Sequence, residues 1–213
     1  MKKAVLERLA RSQLELSRRL KLSWTENSVE LVAGADFSYD LTRKKITACL
    51  VVFRFPELKL IEKVWAVKNI SFPYISSYLA FREAPAFFAA FQKLKVVPDI
   101  TLIDGNGIAH PRKMGLASFV GVILDICTVG CAKRPVFSFI PPGEKRGSYT
   151  YFFNDKKEKI GVCLRTRTEV KPIFVSPGHK IDFKKSIQLV LRCTRYRIPE
   201  PLRQAHILAK KGP

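Results

Sequence analysis

The sequence is short of histidine and has no paired cysteines. Among its 213 residues are three histidines, at positions 110, 179 and 206, and five cysteines. None of the cysteines forms a CxxC pair, so zinc-finger spacing is absent. Four of the five lie inside apolar runs, which is typical of cysteines that act as small buried hydrophobic residues. The sequence therefore excludes a zinc finger and favours buried structural cysteines.

Long apolar runs are also absent. No stretch approaches the roughly 20 apolar residues needed to span a bilayer, and cations interrupt the first twenty residues where a secretory signal would need an apolar region. We therefore expect a cytoplasmic protein. With 47% hydrophobic residues, no repeat and no low-complexity linker, residues 1–213 are predicted to form a single domain.

Acidic residues are scarce relative to basic ones. The chain has 18 acidic and 38 basic residues, for a formal net charge of +20. Such a charge suits a polyanion, because a basic groove gains affinity by releasing counterions from the phosphate backbone. A merely solvated cationic surface and anionic lipid are the alternatives. Because no long amphipathic segment is left without a core to pack on, we expect nucleic acid and not a membrane.

The first half of the chain changes its hydrophobic period. Val5, Leu9, Leu16 and Leu20 share one helical face, which predicts an amphipathic N-terminal helix. Three β-rich runs follow at residues 31–37, 46–53 and 58–67, joined by short polar links. Links this short predict an antiparallel three-strand meander.

The second half alternates between helices and strands. Apolar spacing from Ala84 to Leu94 predicts a helix, and Pro85 is tolerable only in its first turn, which puts Glu83 at the helix start. A strand ending at Asp104, a helix over 114–124 and a strand over 126–132 complete βαβ units with parallel pairing. Further strands are predicted at 149–153, 161–164 and 173–175, then a helix capped by Asp182 and a last short helix after Pro199 and Pro201. The fold class is therefore α/β, with a mixed sheet flanked by helices.

Three acids stand out within this arrangement. Asp36 lies in an apolar strand, Glu83 at a predicted helix start, and Asp104 at the carboxyl end of a predicted central strand, where open α/β sheets place their active sites. Each has a structural alternative: a strand-end turn, a favourable helix-dipole position, and a turn or helix cap. Together they form a hard oxygen-ligand set that suits Mg²⁺ or Mn²⁺. The ribonuclease H-like fold places acids on these same elements.

The turn after Asp104 has the sequence DGNGIAHPRK. Gly105 and Gly107 permit a tight turn whose backbone amides face a ligand, and Asn106 tolerates left-handed geometry. The turn is therefore predicted to form part of the binding site.

The chain resembles the endonuclease V family, the nucleases that act at deoxyinosine. The matching motifs are VAGADFSYD, FPYI followed by LAFREAP, DGNGIAHPRKMGLAS, TVGCAKR, SPGHKID and RIPEPLRQAH, in family order from about residue 31 to 206. The resemblance implies a ribonuclease H-like nuclease that requires Mg²⁺, for which Mn²⁺ can substitute. It also implies hydrolysis of the second phosphodiester 3′ to the deaminated base, leaving 3′-hydroxyl and 5′-phosphate ends.

The same resemblance assigns individual residues. Asp36, Glu83 and Asp104 match the metal-binding catalytic acids, Lys133 matches a lysine at the scissile phosphate, and His179 matches a histidine near the metal. As structural alternatives, His179 is a loop residue near a helix cap and Lys133 one lysine among many.

Substrate contacts are implied as well. Tyr74 matches the aromatic wedge that fills the gap left by an extruded base, with a buried core tyrosine as the alternative. Gly105 and His110 match residues near the base pocket.

The chain departs from the family pattern at one functional loop. Where the family usually continues PYIPG, the chain has Ser76, Ser77 and Tyr78, so it lacks a rigidifying proline and a glycine. Leu202 also stands where threonine is usual. Three interpretations stay open: an endonuclease acting on inosine in DNA, a nuclease acting on inosine in RNA or on another lesion, and a lesion-binding protein without catalysis. The chain is expected to be a monomer.

Overall fold

The computed structural model describes residues 3–25 and 28–213. Within these residues one eight-stranded sheet forms the centre, in the strand order β3-β2-β1-β4-β5-β8-β7-β6. The strands are β1 Leu31–Asp40, β2 Lys45–Arg54, β3 Lys59–Asn69, β4 Ile100–Ile103, β5 Thr128–Ala132, β6 Tyr149–Phe153, β7 Lys159–Leu164 and β8 Ile173–His179. The helices are α1 Lys3–Ser17, α2 Leu79–Phe91, α3 Leu116–Leu124, α4 Phe183–Arg192 and α5 Glu200–Lys211.

The predicted mixed sheet is confirmed. Strands β1, β2 and β3 form the antiparallel meander, and β1, β4 and β5 pair in parallel. Strand β8 runs antiparallel to β5 and is followed outward by β7 and β6. Strands β1, β4 and β5 run in the same direction, and the parallel pairing of β1 with β4 ends at Ala35 and Ile103. We call the region just beyond Ala35, Ile103 and Ala132 the acidic edge.

Helices cover both faces of the sheet. One apolar cluster joins the sheet to α4 and α5, with Leu189 and Leu202 among its buried members. A second cluster joins the other face to α2 and α3, with Phe87 and Val120 buried. Residues that face alternate sides along β2 belong to alternate clusters, as the period of a strand requires.

Helix α2 begins earlier than predicted. It spans Leu79–Phe91 and contains Pro85 in its interior, so Glu83 lies in the second turn and not at the helix start. A proline at this position lacks the N–H that would bond one turn back. The expectation that Pro85 marks the first turn was wrong because the segment before it, from Leu79, already has helical geometry.

Helix α1 confirms the predicted N-terminal helix but not its predicted buried face. It ends at Ser17, so Leu20 lies outside it, and Val5 is exposed. The fully buried side chain is instead the polar residue Gln13. The helix at Asp182 is confirmed in detail, since that carboxylate accepts a hydrogen bond from Lys185 N at 2.7 Å. No helix in the described part of the chain has the length and apolar content that a bilayer crossing requires.

Candidate active site

Asp36 and Asp104 are brought together by the pairing of β1 with β4. Ala35 lies opposite Ile103 in the parallel register, and the amide of Asp104 donates to the carbonyl of Ala35 at 3.0 Å. The next residue on one strand is Asp36, and the next residue after the other strand is Asp104. Two carboxylates from distant parts of the sequence therefore meet at the acidic edge.

Asp36 is a buried carboxylate with few neutralising partners. It is 5% exposed, and its Oδ1 accepts a hydrogen bond from Phe37 N at 2.7 Å. Burial, and then repulsion from Asp104, raise the pKa of Asp36 to about 6. A carboxylate destabilised in this way favours a bound cation.

Glu83 reaches the same region from α2. Its Oε1 accepts a hydrogen bond of 2.5 Å from the hydroxyl of Tyr39, and the guanidinium of Arg82 lies over the Tyr39 ring, 4.9 Å from its centre. Burial raises the pKa of Glu83 to about 7, while the Tyr39 hydrogen bond lowers it. Tyr39 was not singled out by the sequence, because a tyrosine one position from a strand end carries no distinctive signal.

Lys133 lies directly after β5 and points at the two aspartates. Its Nζ donates to Asp104 Oδ2 and is 3.9 Å from Asp36 Oδ2. The predicted lysine is therefore at the acidic edge, because β5 ends beside β4. A cation on a flexible stem can move between these carboxylates and a phosphate group.

The histidine at the acidic edge is His206 and not His179. His206, on α5, has its Nδ1 2.7 Å from Asp36 Oδ2. Because an ionised carboxylate only accepts hydrogen bonds, Nδ1 carries the proton in this contact. His206 was missed although it ends the motif RIPEPLRQAH, where its position at the end of a matched motif was an available signal.

The predicted position of His179 beside the metal ligands was wrong. It lies opposite Thr128, at the start of β5, whereas the acidic edge is at the strand's other end. His179 is 2% exposed; its Nε2 lies 3.1 Å from Asp125 Oδ1 and its Nδ1 accepts from Lys21 N at 3.3 Å. Burial lowers its pKa. The physical reason is strand direction: antiparallel β8 carries its last residue away from the site.

The residues at the acidic edge suit a hard divalent cation. Ligand atoms of Asp36, Asp104 and His206 all lie within 4.8 Å of one another. Glu83 stands outside that group but interacts electrostatically with both aspartates. Two to three carboxylates with a single lysine between them fit a divalent ion in both charge and donor type.

A cavity of about 260 Å³ adjoins the acids. Glu83 and Asp104 line it, together with Tyr74, Gly105 and His110. Tyr74 is 74% exposed, which excludes the alternative that it is a core tyrosine. The structure thus brings all of the predicted site residues except His179 to one region.

The glycine turn after Asp104 forms one wall of this cavity. Gly105 adopts φ of 156°, a conformation that other residues rarely take. The Gly107 amide does not face the cavity, since it donates to Ser176 Oγ at 2.8 Å and is buried. The Gly105 amide is engaged as well, since it donates to the carbonyl of Cys131 at 3.4 Å. The expectation that both glycine amides meet a ligand was therefore wrong, because the turn packs against β5 and β8.

His110 has both ring nitrogens engaged by the protein. Its Nδ1 accepts from the amides of Arg112 and Met114, at 3.1 and 3.3 Å, so the proton is on Nε2, which donates to the carbonyl of Ser77 at 3.0 Å. Burial lowers the pKa of His110 to about 4. The imidazole is therefore neutral near pH 7 and holds two parts of the cavity wall together.

Comparisons with known proteins agree with this arrangement. The endonuclease V family model matches residues 14–207. The chain belongs to the endonuclease V family. Endonuclease V of Kosmotoga olearia is 41% identical over 208 residues, covering 97% of this chain and 91% of that protein. Members of the family are endonucleases that hydrolyse phosphodiester bonds.

Solved structures of the endonuclease V family share the fold. The Streptomyces avermitilis protein superposes with a TM-score of 0.91 at 39% identity, covering 96% of this chain and 92% of that one. A Ciona intestinalis endonuclease V, in complex with a 24mer DNA containing an inosine followed by a ribo-adenosine, gives a TM-score of 0.87 at 31% identity, with 98% of each chain covered. The predicted family and ribonuclease H-like fold class are confirmed.

Proposed function

We propose that this protein is a metal-dependent endonuclease that recognises inosine, the deaminated form of adenosine, in DNA and cuts the second phosphodiester on its 3′ side. The observation that carries the proposal is that Glu83 and Asp104 line the same cavity as the exposed Tyr74. A base pocket that shares its wall with metal-binding acids couples recognition of one nucleotide to hydrolysis nearby. The inosine-containing DNA bound by the Ciona relative supports the substrate.

Asp36, Asp104 and Glu83 would hold Mg²⁺, or Mn²⁺ in its place, with His206 at the edge of the same group. When bound, such an ion supplies an activated water and neutralises charge on the leaving oxygen. The aspartate ligands are supported by their mutual proximity, and Glu83 by its electrostatic interaction with both of them.

Lys133 and His206 have separate roles in the proposal. Lys133 lies against Asp104 and Asp36, so it can pass to a phosphate oxygen and stabilise the charge that develops there. His206 holds Asp36 in position through the hydrogen bond from Nδ1. His179 has no place in the reaction.

Tyr74 acts as a wedge in this proposal. Extruding a base from a duplex costs a few kcal/mol of stacking and pairing, and an inserted aromatic ring offsets part of that cost. The 74% exposure of Tyr74 leaves its ring available for insertion. Gly105 and His110 line the same cavity, where the extruded base would lie.

The central experiment measures cutting of a labelled duplex that contains one deoxyinosine. Cutting is expected with Mg²⁺ or Mn²⁺, at the second phosphodiester 3′ to the inosine, and is expected to be lost on chelation. Asp104→Asn should abolish it. Glu57→Gln is the matched control, since Glu57 lies in the exposed β2–β3 turn at the far edge of the sheet. Absence of cutting with both metals, or full activity of Asp104→Asn, would refute the proposal.

Inosine in RNA is a second candidate substrate. The Ciona relative was bound to an oligonucleotide with a ribo-adenosine after the inosine, and Ser76 and Ser77 line the cavity of this chain in place of the family's proline and glycine. Rates on matched DNA and RNA duplexes separate the two substrates. If inosine is cut in neither DNA nor RNA, the enzyme acts on another lesion. Salt-sensitive binding of inosine-containing strands without cleavage would indicate a non-catalytic binding protein.

The proposal also covers organisation and location. One sheet with shared apolar clusters supports a single nuclease domain over residues 1–213, which acts as a monomer. All five cysteines are buried as thiols, which is typical of proteins in a reducing compartment. We therefore place the protein in the cytoplasm.

A further inference from the structure

The segment Tyr74–Tyr78, here called the wedge loop, contains a backbone carbonyl with an unusual number of donors. Ser77 adopts φ of 65°, a left-handed conformation that costs energy for a residue other than glycine. Its carbonyl oxygen lies within hydrogen-bond distance of Gln13 Nε2 at 3.2 Å, His110 Nε2 at 3.0 Å and Arg112 Nη2 at 2.8 Å. A carbonyl has two lone pairs, so this one is saturated and firmly held.

Gln13 is the one fully buried side chain that α1 contributes among the described residues. A buried amide is costly unless its groups are hydrogen-bonded. Its Oε1 accepts from Arg112 Nε at 2.6 Å, and its Nε2 also lies 3.4 Å from the carbonyl of Met114. The amide thus links helix α1 to the glycine turn and to the wedge loop.

Arg112 completes the link. Its guanidinium lies over the ring of Tyr78, 4.5 Å from the ring centre, while the Tyr78 hydroxyl donates to the carbonyl of Leu6 on α1 at 3.2 Å. The last two residues of the wedge loop are therefore fixed on one side by a cation–π contact and on the other by hydrogen bonds. We call Gln13 and Arg112 the loop clamp.

We propose that the loop clamp positions Tyr74 and the cavity wall for inosine, and so sets the specificity of the enzyme for an extruded base. Gln13 and Arg112 are positioning residues, since they act through Ser77 and do not themselves meet the metal ligands. This inference rests on the proposed function. It assigns to the side-chain hydrogen bonds of Gln13 and Arg112 the rigidity that the usual proline would give the loop.

The clamp explains why a loop without proline can act as a wedge. Tyr74 is exposed, so its position depends on the backbone that follows it. A rigid loop loses less conformational freedom on inserting a ring into DNA, and displacement of a positioning group by about 1 Å can cost about 100-fold in rate. Loss of the clamp should therefore affect base extrusion and leave metal binding unchanged.

Two variants test the clamp without removing volume or charge. Gln13→Met keeps the length of the side chain and loses its hydrogen bonds, and Arg112→Lys keeps the cation and loses the planar fork. Ser12→Ala is the matched control on α1, since the Ser12 hydroxyl donates within the helix, to the carbonyl of Arg8. Thermal melts establish that each variant is folded.

Three measurements are made on each variant with saturating Mn²⁺. The first is the single-turnover rate on a duplex with one inosine, compared with the same strand unpaired. The second is the fluorescence change of a 2-aminopurine placed beside the inosine, which reports extrusion. The third is hydrogen exchange of the amides of residues 75–79 in the free protein, which reports loop order whether or not the protein cuts DNA.

Both variants are expected to cut the duplex substrate up to about 100-fold more slowly, with a reduced fluorescence change. They should cut the unpaired strand at close to the parental rate, with unchanged Mn²⁺ dependence and faster exchange in residues 75–79. In the double variant the losses should not add, because the two side chains contact each other. Ser12→Ala should match the parent.

The inference is overturned if the parent cuts inosine and both variants match it in duplex rate and exchange. Equal slowing on duplex and unpaired strands with unchanged exchange would also overturn it. If the parent itself does not cut inosine in either nucleic acid, the proposed function fails, and the exchange measurement still decides whether Gln13 and Arg112 hold the loop.

Discussion

His206 Nδ1 lies 2.7 Å from Asp36 Oδ2, although 170 residues separate the two in sequence. The two side chains meet because helix α5 packs along strand β1. Gly34 lies so close to the carbonyl of Pro201 that a Cβ there would be 2.4 Å from its oxygen, and the Ser38 hydroxyl donates to the carbonyl of Ala209 at 2.6 Å. The helix is thus anchored at both ends, which places His206 level with Asp36.

The first prediction concerns the two histidines. His206→Ala should lower cleavage of inosine-containing DNA about 10- to 100-fold, the usual cost of losing a group that orients a metal-binding carboxylate. His179→Ala should destabilise the protein but leave the rate of the folded enzyme unchanged, because His179 lies at the opposite edge of the sheet. Single-turnover rates checked against thermal melts measure both. A larger loss of cleavage rate in His179→Ala than in His206→Ala would contradict the assignment of His206 to the acidic edge.

The second prediction concerns Tyr39. The hydrogen bond from its hydroxyl lowers the pKa of Glu83, which burial otherwise raises. Tyr39→Phe should therefore raise that pKa further, by about one unit for a hydrogen bond to a charged group, and move the acid limb of the pH–rate profile to higher pH. Tyr196→Phe is the control, since its ring is exposed and contacts Arg203. If the acid limb does not move, the ionisation of Glu83 does not set the acid limb of the pH–rate profile.

The third prediction concerns metal affinity. Burial raises the pKa of Asp36 to about 6 and that of Glu83 to about 7, and a metal binds the deprotonated carboxylates. Mn²⁺ affinity should therefore rise with pH up to about 7, by about tenfold per unit for each proton released. Calorimetric titration in buffers of different ionisation enthalpy measures the affinity and the protons together. Asp36→Asn should weaken binding and reduce the number of protons released by the Asp36 share; an unchanged proton release in that variant would exclude Asp36 as a source.

The fourth prediction concerns stability and His110. Burial lowers the pKa of His110 to about 4, so the unfolded chain binds a proton more tightly than the folded one. This contribution to stability is complete above the unfolded pKa of about 6.5 and is lost as the pH falls towards 4, by up to about 3 kcal/mol.

Urea unfolding of the parent and of His110→Asn measures this loss. Asparagine can accept from the same backbone amides and does not titrate, so subtracting the two curves removes the contributions of other groups, including the opposite effect of Asp36 and Glu83. The difference in free energy of unfolding should narrow as the pH falls from 6.5 to 4. Parallel curves would contradict the lowered pKa of His110.

The fifth prediction concerns the wedge. Tyr74→Ala should leave stability unchanged, because the ring is exposed, and should slow cutting of duplex inosine by at least about tenfold, since base–aromatic stacking contributes about 1–3 kcal/mol. Unpaired strands should be affected little, because they leave no gap to fill. Equal slowing on both substrates would assign Tyr74 to base binding in place of wedging.

Much of the site could be predicted from local sequence. Asp104 follows a short apolar strand, Lys133 follows another, and Asp36 interrupts a third, so parallel pairing alone brings all three to one edge. His179 and His206 could not be distinguished in this way. One ends a strand whose direction depends on its partner, and the other lies on a helix whose position depends on docking.

By itself the sequence determined the family, the basic charge, the mixed sheet and the three acids, because these follow from motif order, composition and hydrophobic period. The tertiary structure decided which histidine joins the acids, that Tyr39 holds Glu83, and that Gln13 of α1 holds the wedge loop. These contacts join residues 44 to 170 positions apart, and they depend on side-chain packing between elements, which no local pattern in the sequence encodes.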